Sequence, residues 1–174
     1  MTVRPARLPD DAAAIAGIDT SFDTDTIYDI MYDQDVFRLA TAHASPPVTK
    51  RFPLDDLGDG HFWHEGHVAT DDRGAVVGFL ATRDERWNQR LIIWHCYVDR
   101  AARGGGHGYA LMQTALDGGR ARGLKLAWLE TSNLAYPSVQ WYRRQGFEVC
   151  GLDTTRYKHS YAPGETSLFL ARPL

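Results

Sequence analysis

Apolar residues in the first part of the chain recur with the spacings of strands and of one short helix. Residues 2–8 are predicted to form the first strand. An alanine-rich helix follows, which Asp10 or Asp11 can cap and which ends near Ile18. β-branched and aromatic residues then dominate 26–43 on both sides of a polar turn, and this pattern predicts a β-hairpin.

A stretch rich in proline and aspartate interrupts the regular spacing over 45–60. It contains Pro46, Pro47 and Pro53, and proline has no backbone N–H to donate to a sheet. We therefore expect an irregular loop at one edge of the domain.

The remaining residues change their apolar spacing several times. Three strand-like segments, separated by turn residues, are typical of an antiparallel meander, and helical and strand-like spacings then alternate. The predicted strands are 61–70, 75–86, 91–98, 124–130, 147–152 and 165–171, and the predicted helices are 108–122 and 135–145. These elements predict a single α/β (α+β) domain over 1–174, with a mixed, twisted, largely antiparallel sheet and helices on both faces.

The composition is that of an ordinary globular protein, with 174 residues, 44% of them hydrophobic and 24% charged. The formal net charge of -3 provides no excess positive potential for a phosphate backbone, so we expect no nucleic acid partner. The sequence has neither a signal-peptide pattern nor a run of about 18 apolar residues. We therefore expect a cytoplasmic protein without membrane contact.

Cysteine and histidine are arranged in a way that does not favour a metal site. Cys96 and Cys150 each lie in an apolar strand-like run, where a reduced cysteine behaves as a small core residue, so we expect neither a disulfide nor a zinc site. His64 and His67 are one residue closer together than the helical zinc motif requires. We assign no metal.

A glycine-rich segment directly after a strand opens the first long helix. Glycine lets the backbone approach a ligand closely, and the amides and positive dipole end of a helix N-terminus favour a pyrophosphate, although the glycines alone also fit a ligand-free turn. A Walker loop would end in Gly-Lys-Ser/Thr, and Leu111 occupies the position where a dinucleotide fingerprint requires glycine. The segment consists of Arg103, Gly104, Gly105, Gly106, His107, Gly108 and Tyr109.

Two short motifs resemble those of a known family. Arg103-x-x-Gly106-x-Gly108 resembles the acetyl-CoA pyrophosphate signature of GNAT acetyltransferases, and 141–147 resembles their second signature, a tyrosine followed by Gly-Phe. The resemblance extends to the streptothricin (nourseothricin) acetyltransferase branch of that family. The further similar segments are 21–26, 46–50, 87–91, 129–130 with Asn133, and 150–154 with Tyr157.

The resemblance implies a role for each matching residue. The amides of 103–109 would hold the pyrophosphate of acetyl-CoA, and the backbone of Cys96 and Val98 would pair with the pantetheine arm. Asn133 would contact the same arm, and Tyr142 would protonate the leaving thiolate. Tyr142 as a packed helix residue and Asn133 as a helix cap are the alternative interpretations.

One predicted strand departs from the streptothricin branch, since Trp94-His95-Cys96-Tyr97 stands where that branch is acidic. Strand alternation predicts His95 and Tyr97 on one face. Histidine titrates near neutrality, so His95 is a candidate to relay the amine proton, and a packed strand histidine is the alternative. Tyr97 and Glu130 are expected to contact the acceptor. Glu130 is a second candidate for the base, or an anchor for an ammonium group. The alternative interpretation is that Glu130 only accepts backbone hydrogen bonds at the end of its strand.

Together the residues and the resemblance predict an acetyl-CoA dependent N-acetyltransferase. The expected acceptor is a primary amine of a small molecule, with a streptothricin-like antibiotic as the candidate, acetylated by direct transfer in a ternary complex. The loss of strand carboxylates favours weaker binding of a polycation, or a more aromatic acceptor. A protein or peptide acetyltransferase and a non-catalytic acetyl-CoA sensor remain alternatives, and we expect a monomer or a homodimer.

Overall fold

A computed structural model of the protein describes residues 1–58, 61–160 and 162–174, which form two compact units. The first unit contains Met1–Ser21, Arg51–Trp128 and Pro173–Leu174. The second unit contains Phe22–Lys50 and Leu129–Arg172.

The helices and strands follow the predicted pattern closely. In chain order they are β1 (Thr2–Pro5), α1 (Ala12–Ala16), β2 (Phe22–Asp33), β3 (Val36–Lys50), β4 (Glu65–Thr70), β5 (Val76–Glu85), β6 (Arg90–Val98), α2 (His107–Ala121), β7 (Leu126–Ser132), α3 (Tyr136–Arg144), β8 (Glu148–Asp153) and β9 (Ser167–Pro173). Short 3₁₀ helices occupy Arg86–Asn88 and Arg100–Ala102. Within the described ranges, every helix is too short or too polar to cross a membrane.

In the first unit, four antiparallel strands lie in the order β1, β4, β5, β6. On β5, Phe79 and Ala81 pack in one apolar cluster with Ile15 of α1. Gly78 faces the other way, where a Cβ would lie 3.0 Å from Leu111 of α2. Because alternate strand residues point to opposite faces, α1 and α2 cover the two faces of this sheet. The expected fold class, a largely antiparallel sheet with helices on both faces, is confirmed.

The pairing of β5 with β6 shifts register at one point. Ala81 pairs with His95, and Thr82 pairs with Ile93, so the register skips Trp94. An extra residue of this kind is a β-bulge, which changes the direction of the side chains around it.

In the second unit, β7, β9 and β8 are neighbours in that order, and β8 and β9 are antiparallel. Val149 pairs with Leu170 and Gly151 with Phe169, so the register skips Cys150. Cys150 is exposed, and the expectation that it is a core residue is therefore wrong.

The β2–β3 hairpin confirms the predicted turn, with Gln34 and Asp35 between the strands. The structure corrects the loop expected over 45–60, because β3 continues to Lys50. Thr24 pairs with Val48 and Thr26 with His43, so a single residue of β2 lies opposite four residues of β3. Pro46 and Pro47 are two of these four residues. Prolines are tolerated at such an irregularity because no ladder hydrogen bond is required there. Within that expected loop, Asp59 and Gly60 lie outside the described residues.

A buried ion pair lies within the second unit. The Nζ of Lys50 donates to both carboxylate oxygens of Glu165, at 2.7 and 2.6 Å. The Oγ of Ser132 also donates to Glu165. The side chains of Lys50 and Glu165 are only 8% and 11% exposed, so this pair connects the end of β3 to the start of β9 away from solvent.

Asp11 takes the N-cap position of α1, but its carboxylate serves a different purpose from the predicted capping. Both oxygens accept hydrogen bonds from Arg4 at 2.7 Å, and one also accepts from the Arg7 amide. The Arg4 guanidinium is the main reason that the pKa of Asp11 falls to about 2. The contribution to stability is present above the unfolded pKa of 3.8 and is lost as the pH falls toward 2.

We predict that Asp11→Asn lowers the free energy of unfolding at pH 7 by about 1–2 kcal/mol, reduced from the full linkage value because Arg4 is partly exposed. Urea denaturation at pH 7 and at pH 2.5 would measure this loss, which should shrink at the lower pH. Asp10→Asn is the matched control, because Asp10 is exposed. An equal loss in both variants at pH 7 would contradict the assignment.

Candidate active site

The glycine-rich segment forms the turn between β6 and α2. Gly104 and Gly106 have φ values of 83° and 81°, a region that disfavours every other residue type except asparagine and aspartate. Gly106 is the N-cap of α2, and the Ala110 amide donates to its carbonyl at 3.0 Å. The amides of His107, Gly108 and Tyr109, in the first turn, have no carbonyl one turn earlier to accept from them.

The turn is held in place from its N-terminal side. Asp99 accepts from the Ala101 amide at 2.9 Å and from the Asp19 amide at 2.9 Å. The Arg103 guanidinium donates to the carbonyls of Val98 at 3.1 Å and Asp19 at 3.3 Å. Desolvation lowers the pKa of Arg103 from its usual value. The side chain of Arg103 therefore braces the turn.

This geometry fits a pyrophosphate group. A Cβ built on Gly104 or Gly106 would meet no described atom within 4 Å, so the space beside both glycines is open. Backbone donors, a helix dipole and close access are the features that favour an anion at a helix N-terminus. The imidazole of His107 fills part of the turn, 3.1 Å from where a Cβ of Gly105 would lie.

His95 lies against a carboxylate that the sequence analysis did not assign. Its Nε2 is 2.6 Å from Oδ1 of Asp56, and Oδ2 of Asp56 accepts from Nε1 of Trp94 at 2.9 Å. Adjacent residues of a regular strand point to opposite faces, so the strand alternation predicted for 94–97 is wrong for Trp94. The bulge at Trp94 allows both side chains to contact one carboxylate.

His95 is buried, with 9% of its surface exposed. Its pKa is lowered from 6.5, mainly because burial disfavours the charged ring, and Asp56 and then Asp55 oppose this effect by their negative charge. At neutral pH the ring is therefore neutral and able to accept a proton.

Aromatic rings surround this part of β6. The ring of Tyr97 is 5.6 Å from that of His95 and stacks at 5.7 Å on Phe52. Phe79 lies 5.8 Å from His95 on the β5 side. The structure thus brings the predicted residues His95 and Tyr97 together, as the sequence analysis expected.

Glu130, in the second unit, already has several partners. Its Oε1 accepts from the hydroxyl of Tyr157 and from Oγ of Ser167, the latter at 2.6 Å. Arg156 lies 3.8 Å from Oε2. The hydrogen bonds come from side chains rather than from the backbone, and they reduce the capacity of Glu130 to bind an ammonium group.

Asn133 is buried and holds the middle of β2 to the end of β7 within the second unit. Its Nδ2 donates to the Tyr28 carbonyl at 2.9 Å, and its Oδ1 accepts from the Thr166 amide at 2.8 Å. Ala135, not Asn133, is the N-cap of α3. The side chain therefore has a structural task besides any contact with a coenzyme.

Tyr142 lies on α3, where its ring makes edge contacts with Trp141 at 5.2 Å and Phe147 at 5.8 Å. The amide of Phe147 donates to the Tyr142 carbonyl at 3.1 Å. The two rings thus pack against the side chain of Tyr142.

Asp56 is the residue that sequence reasoning missed. The only available signal was the Asp55-Asp56 pair near Pro53, which predicted a loop but no partner. Among the described residues there is no group of three or more His, Cys, Asp or Glu side chains placed to hold a metal ion.

Comparison with known proteins gives the same family as the two sequence motifs. The model of the "Acetyltransferase (GNAT) family" matches 26–147. The streptothricin acetyltransferase of Streptomyces lavendulae is 40% identical to this chain, over 98% of this chain and 93% of its own.

Solved structures agree. Nourseothricin acetyltransferase has a TM-score of 0.90 at 36% identity, covering 99% of this chain and 97% of its own. A Bacillus anthracis protein solved in complex with acetyl coenzyme A has a TM-score of 0.80 at 18% identity, covering 99% of each chain, which shows a shared fold. The chain therefore belongs to the GNAT acetyltransferase family.

Proposed function

We propose that the protein transfers the acetyl group of acetyl-CoA to a primary amine of a streptothricin-like small molecule. The observation that carries this proposal is the similarity to streptothricin acetyltransferase, which extends over 98% of this chain and 93% of that relative. A match of this extent includes segments outside the glycine-rich turn, which a shared coenzyme alone does not explain.

The coenzyme would be held by backbone groups. The amides of 103–109 would bind its pyrophosphate, the backbone of Cys96 and Val98 would pair with its pantetheine arm, and Asn133 would contact that arm. Acetyl-CoA supplies the activated acetyl thioester. The open space beside Gly104 and Gly106 supports this arrangement.

Two protons must move for the amine to be acetylated. The ammonium group of the acceptor must lose a proton before its nitrogen can attack, and His95 would accept that proton because its ring is neutral at pH 7. The departing sulfur must gain a proton, which the Tyr142 hydroxyl would donate and then regain from the attacking nitrogen as the amide forms. The nitrogen–carbon bond forms as the carbon–sulfur bond breaks, by direct transfer in a ternary complex.

The acceptor is further limited by the charges near β6. Asp56 places one carboxylate beside β6, which has none of its own at 94–97. Both oxygens of that carboxylate are already engaged by Trp94 and His95. Asp55 beside it is exposed and able to attract a cation. With the rings of Phe52 and Tyr97 close by, this surface favours an amine with an apolar or aromatic portion and modest positive charge.

The proposal is tested by release of free thiol from acetyl-CoA with streptothricin, an arylalkylamine, or a lysine-containing peptide. We expect turnover with one or both small amines. The kcat/KM for the peptide should be at least roughly 10²-fold lower, because a peptide would not make the contacts that the site makes with a small-molecule acceptor. Preference for the peptide would instead support a protein acetyltransferase. Acetyl-CoA binding without any turnover would support a non-catalytic sensor.

Replacing Gly106 by leucine should weaken acetyl-CoA binding by roughly 10²-fold or more, because a side chain would fill the space beside the turn. Calorimetry measures this affinity. Gly74→Leu is the matched control, since Gly74 has φ 83° and also meets nothing within 4 Å, but lies in the β4–β5 turn. If folded Gly106→Leu bound acetyl-CoA as tightly as the unaltered protein, the turn would not be the pyrophosphate site.

Tyr142→Phe should lower kcat by roughly 10²- to 10⁴-fold, the range for loss of one positioned acid, while the Kd for acetyl-CoA stays within a few-fold. Steady-state kinetics and calorimetry separate the two quantities. Tyr32→Phe, which removes a hydroxyl from an exposed residue near the hairpin turn, is the control. A Tyr142→Phe enzyme with full kcat would mean that Tyr142 only packs.

A further inference from the structure

The Asp56 carboxylate is fixed by two neighbouring residues of β6. Asp56 lies in 51–58, outside regular secondary structure. Oδ1 faces the imidazole of His95, and Oδ2 accepts from the indole of Trp94 at 2.9 Å. The backbone carbonyl of Asp56 also accepts from Nε1 of Trp63 at 3.3 Å. With both oxygens and the main chain engaged, the carboxylate has one orientation toward His95.

This arrangement selects one tautomer of His95. A carboxylate 2.6 Å from Nε2 requires the ring proton on Nε2, because two acceptors facing each other repel. The lone pair of the neutral ring then lies on Nδ1. That atom is buried and has no hydrogen-bond partner among residues 1–58, 61–160 and 162–174.

An unpartnered nitrogen of this kind points to a ligand. Buried polar atoms are nearly always hydrogen-bonded, so an acceptor left unpaired on a residue that is 9% exposed needs an explanation. The neighbouring rings of Phe79 and Tyr97 lie 5.8 and 5.6 Å from the imidazole. Asp56 and Asp55, both from 51–58, are the charged groups that act on the ring.

We propose that Asp56 is the positioning residue of the acetyltransferase reaction, holding His95 as its Nε2-protonated tautomer so that Nδ1 receives the proton of the acceptor amine. This inference rests on the proposed function. Nδ1 is buried in the absence of the acceptor, so binding of the acceptor must open a path to it. The proton then moves from the ammonium nitrogen to Nδ1, giving an imidazolium ion next to the Asp56 carboxylate. His95 then releases that proton to solvent, while Asp56 stays ionised throughout.

The role of Trp94 follows from the same contacts. Its indole N–H satisfies Oδ2, so the carboxylate does not rotate toward solvent. The bulge is what places this donor beside His95, because Trp94 has been skipped by the β5 register. Trp94 thus supports Asp56, and Asp56 in turn supports His95.

The first test is the tautomer itself, measured by ¹⁵N NMR of histidine-labelled protein without any substrate. The chain has seven histidines, so a His95→Gln sample identifies the signal. We expect a neutral, Nε2-protonated ring at pH 7.5, and a mixture of tautomers in Asp56→Asn. A ring protonated on Nδ1, or one unaffected by Asp56→Asn, would overturn the proposal. This result does not depend on the identity of the acceptor.

The second test is kinetic. Asp56→Asn, which keeps the size of the side chain, should lower kcat/KM roughly 10²-fold, within the range for general-base catalysis, with unchanged acetyl-CoA affinity. Activity requires neutral His95, so kcat/KM falls as the pH drops through its pKa. Removing the charge of Asp56 lowers that pKa further, so the acid limb of the profile should move to lower pH.

Asp10→Asn is the matched control, since Asp10 is an exposed aspartate to which no role in the candidate site is assigned. It should retain both the rate and the pH profile of the unaltered protein. An Asp56→Asn enzyme with the normal rate and pH profile would overturn the positioning role. If the unaltered protein acetylates no amine, the proposed function fails, and the NMR result still decides whether Asp56 sets the tautomer.

Discussion

The register shift between β5 and β6 determines which side chains can meet at the candidate active site. Without the extra residue at Trp94, the side chains of Trp94 and His95 would point to opposite faces of the sheet. With it, both contact Asp56, and Trp94 also packs beside the core cluster that contains Phe79. The shared contact of Trp94 and His95 with one carboxylate follows from this one irregularity.

The same strand leads into the coenzyme turn. β6 ends at Val98, whose carbonyl accepts from Arg103, and Asp99 then fixes the chain that enters α2. The residue expected to accept a proton and the turn expected to hold the pyrophosphate are therefore within one stretch of about 15 residues. Because one strand positions both, their separation is set by a rigid element, which direct transfer requires.

Much of this arrangement could be predicted from local sequence. The glycine turn was identifiable because its backbone conformation requires glycine, and the glycine spacing shows this directly in the sequence. His95 and Tyr97 were correctly predicted to lie together. That prediction assumed a regular strand, whereas the actual strand has a bulge at Trp94. Asp56 was missed because its contacts with Trp94 and His95 are about 40 residues away in sequence, and no local pattern encodes such a pairing.

Other differences have similar causes. Periodicity assumes an uninterrupted ladder, so it places Cys150 inside, whereas a bulge leaves it exposed. The two prolines suggested that the hairpin had ended, but an irregular stretch of β3 accommodates them. Asp10 or Asp11 was predicted to cap the helix from its position before it, but the carboxylate of Asp11 binds the nearby Arg4 instead.

The buried pair of Lys50 and Glu165 has a consequence for how this sequence can diverge. The two residues are 115 positions apart, and both are shielded from solvent. Replacing either one alone leaves a buried charge without its counter-ion, which typically costs about 3–5 kcal/mol, whereas joint replacement by apolar residues is often neutral. The two positions are therefore epistatic: a mutant library that varies them independently will mostly lose folded members, and one that varies them as a pair will keep them.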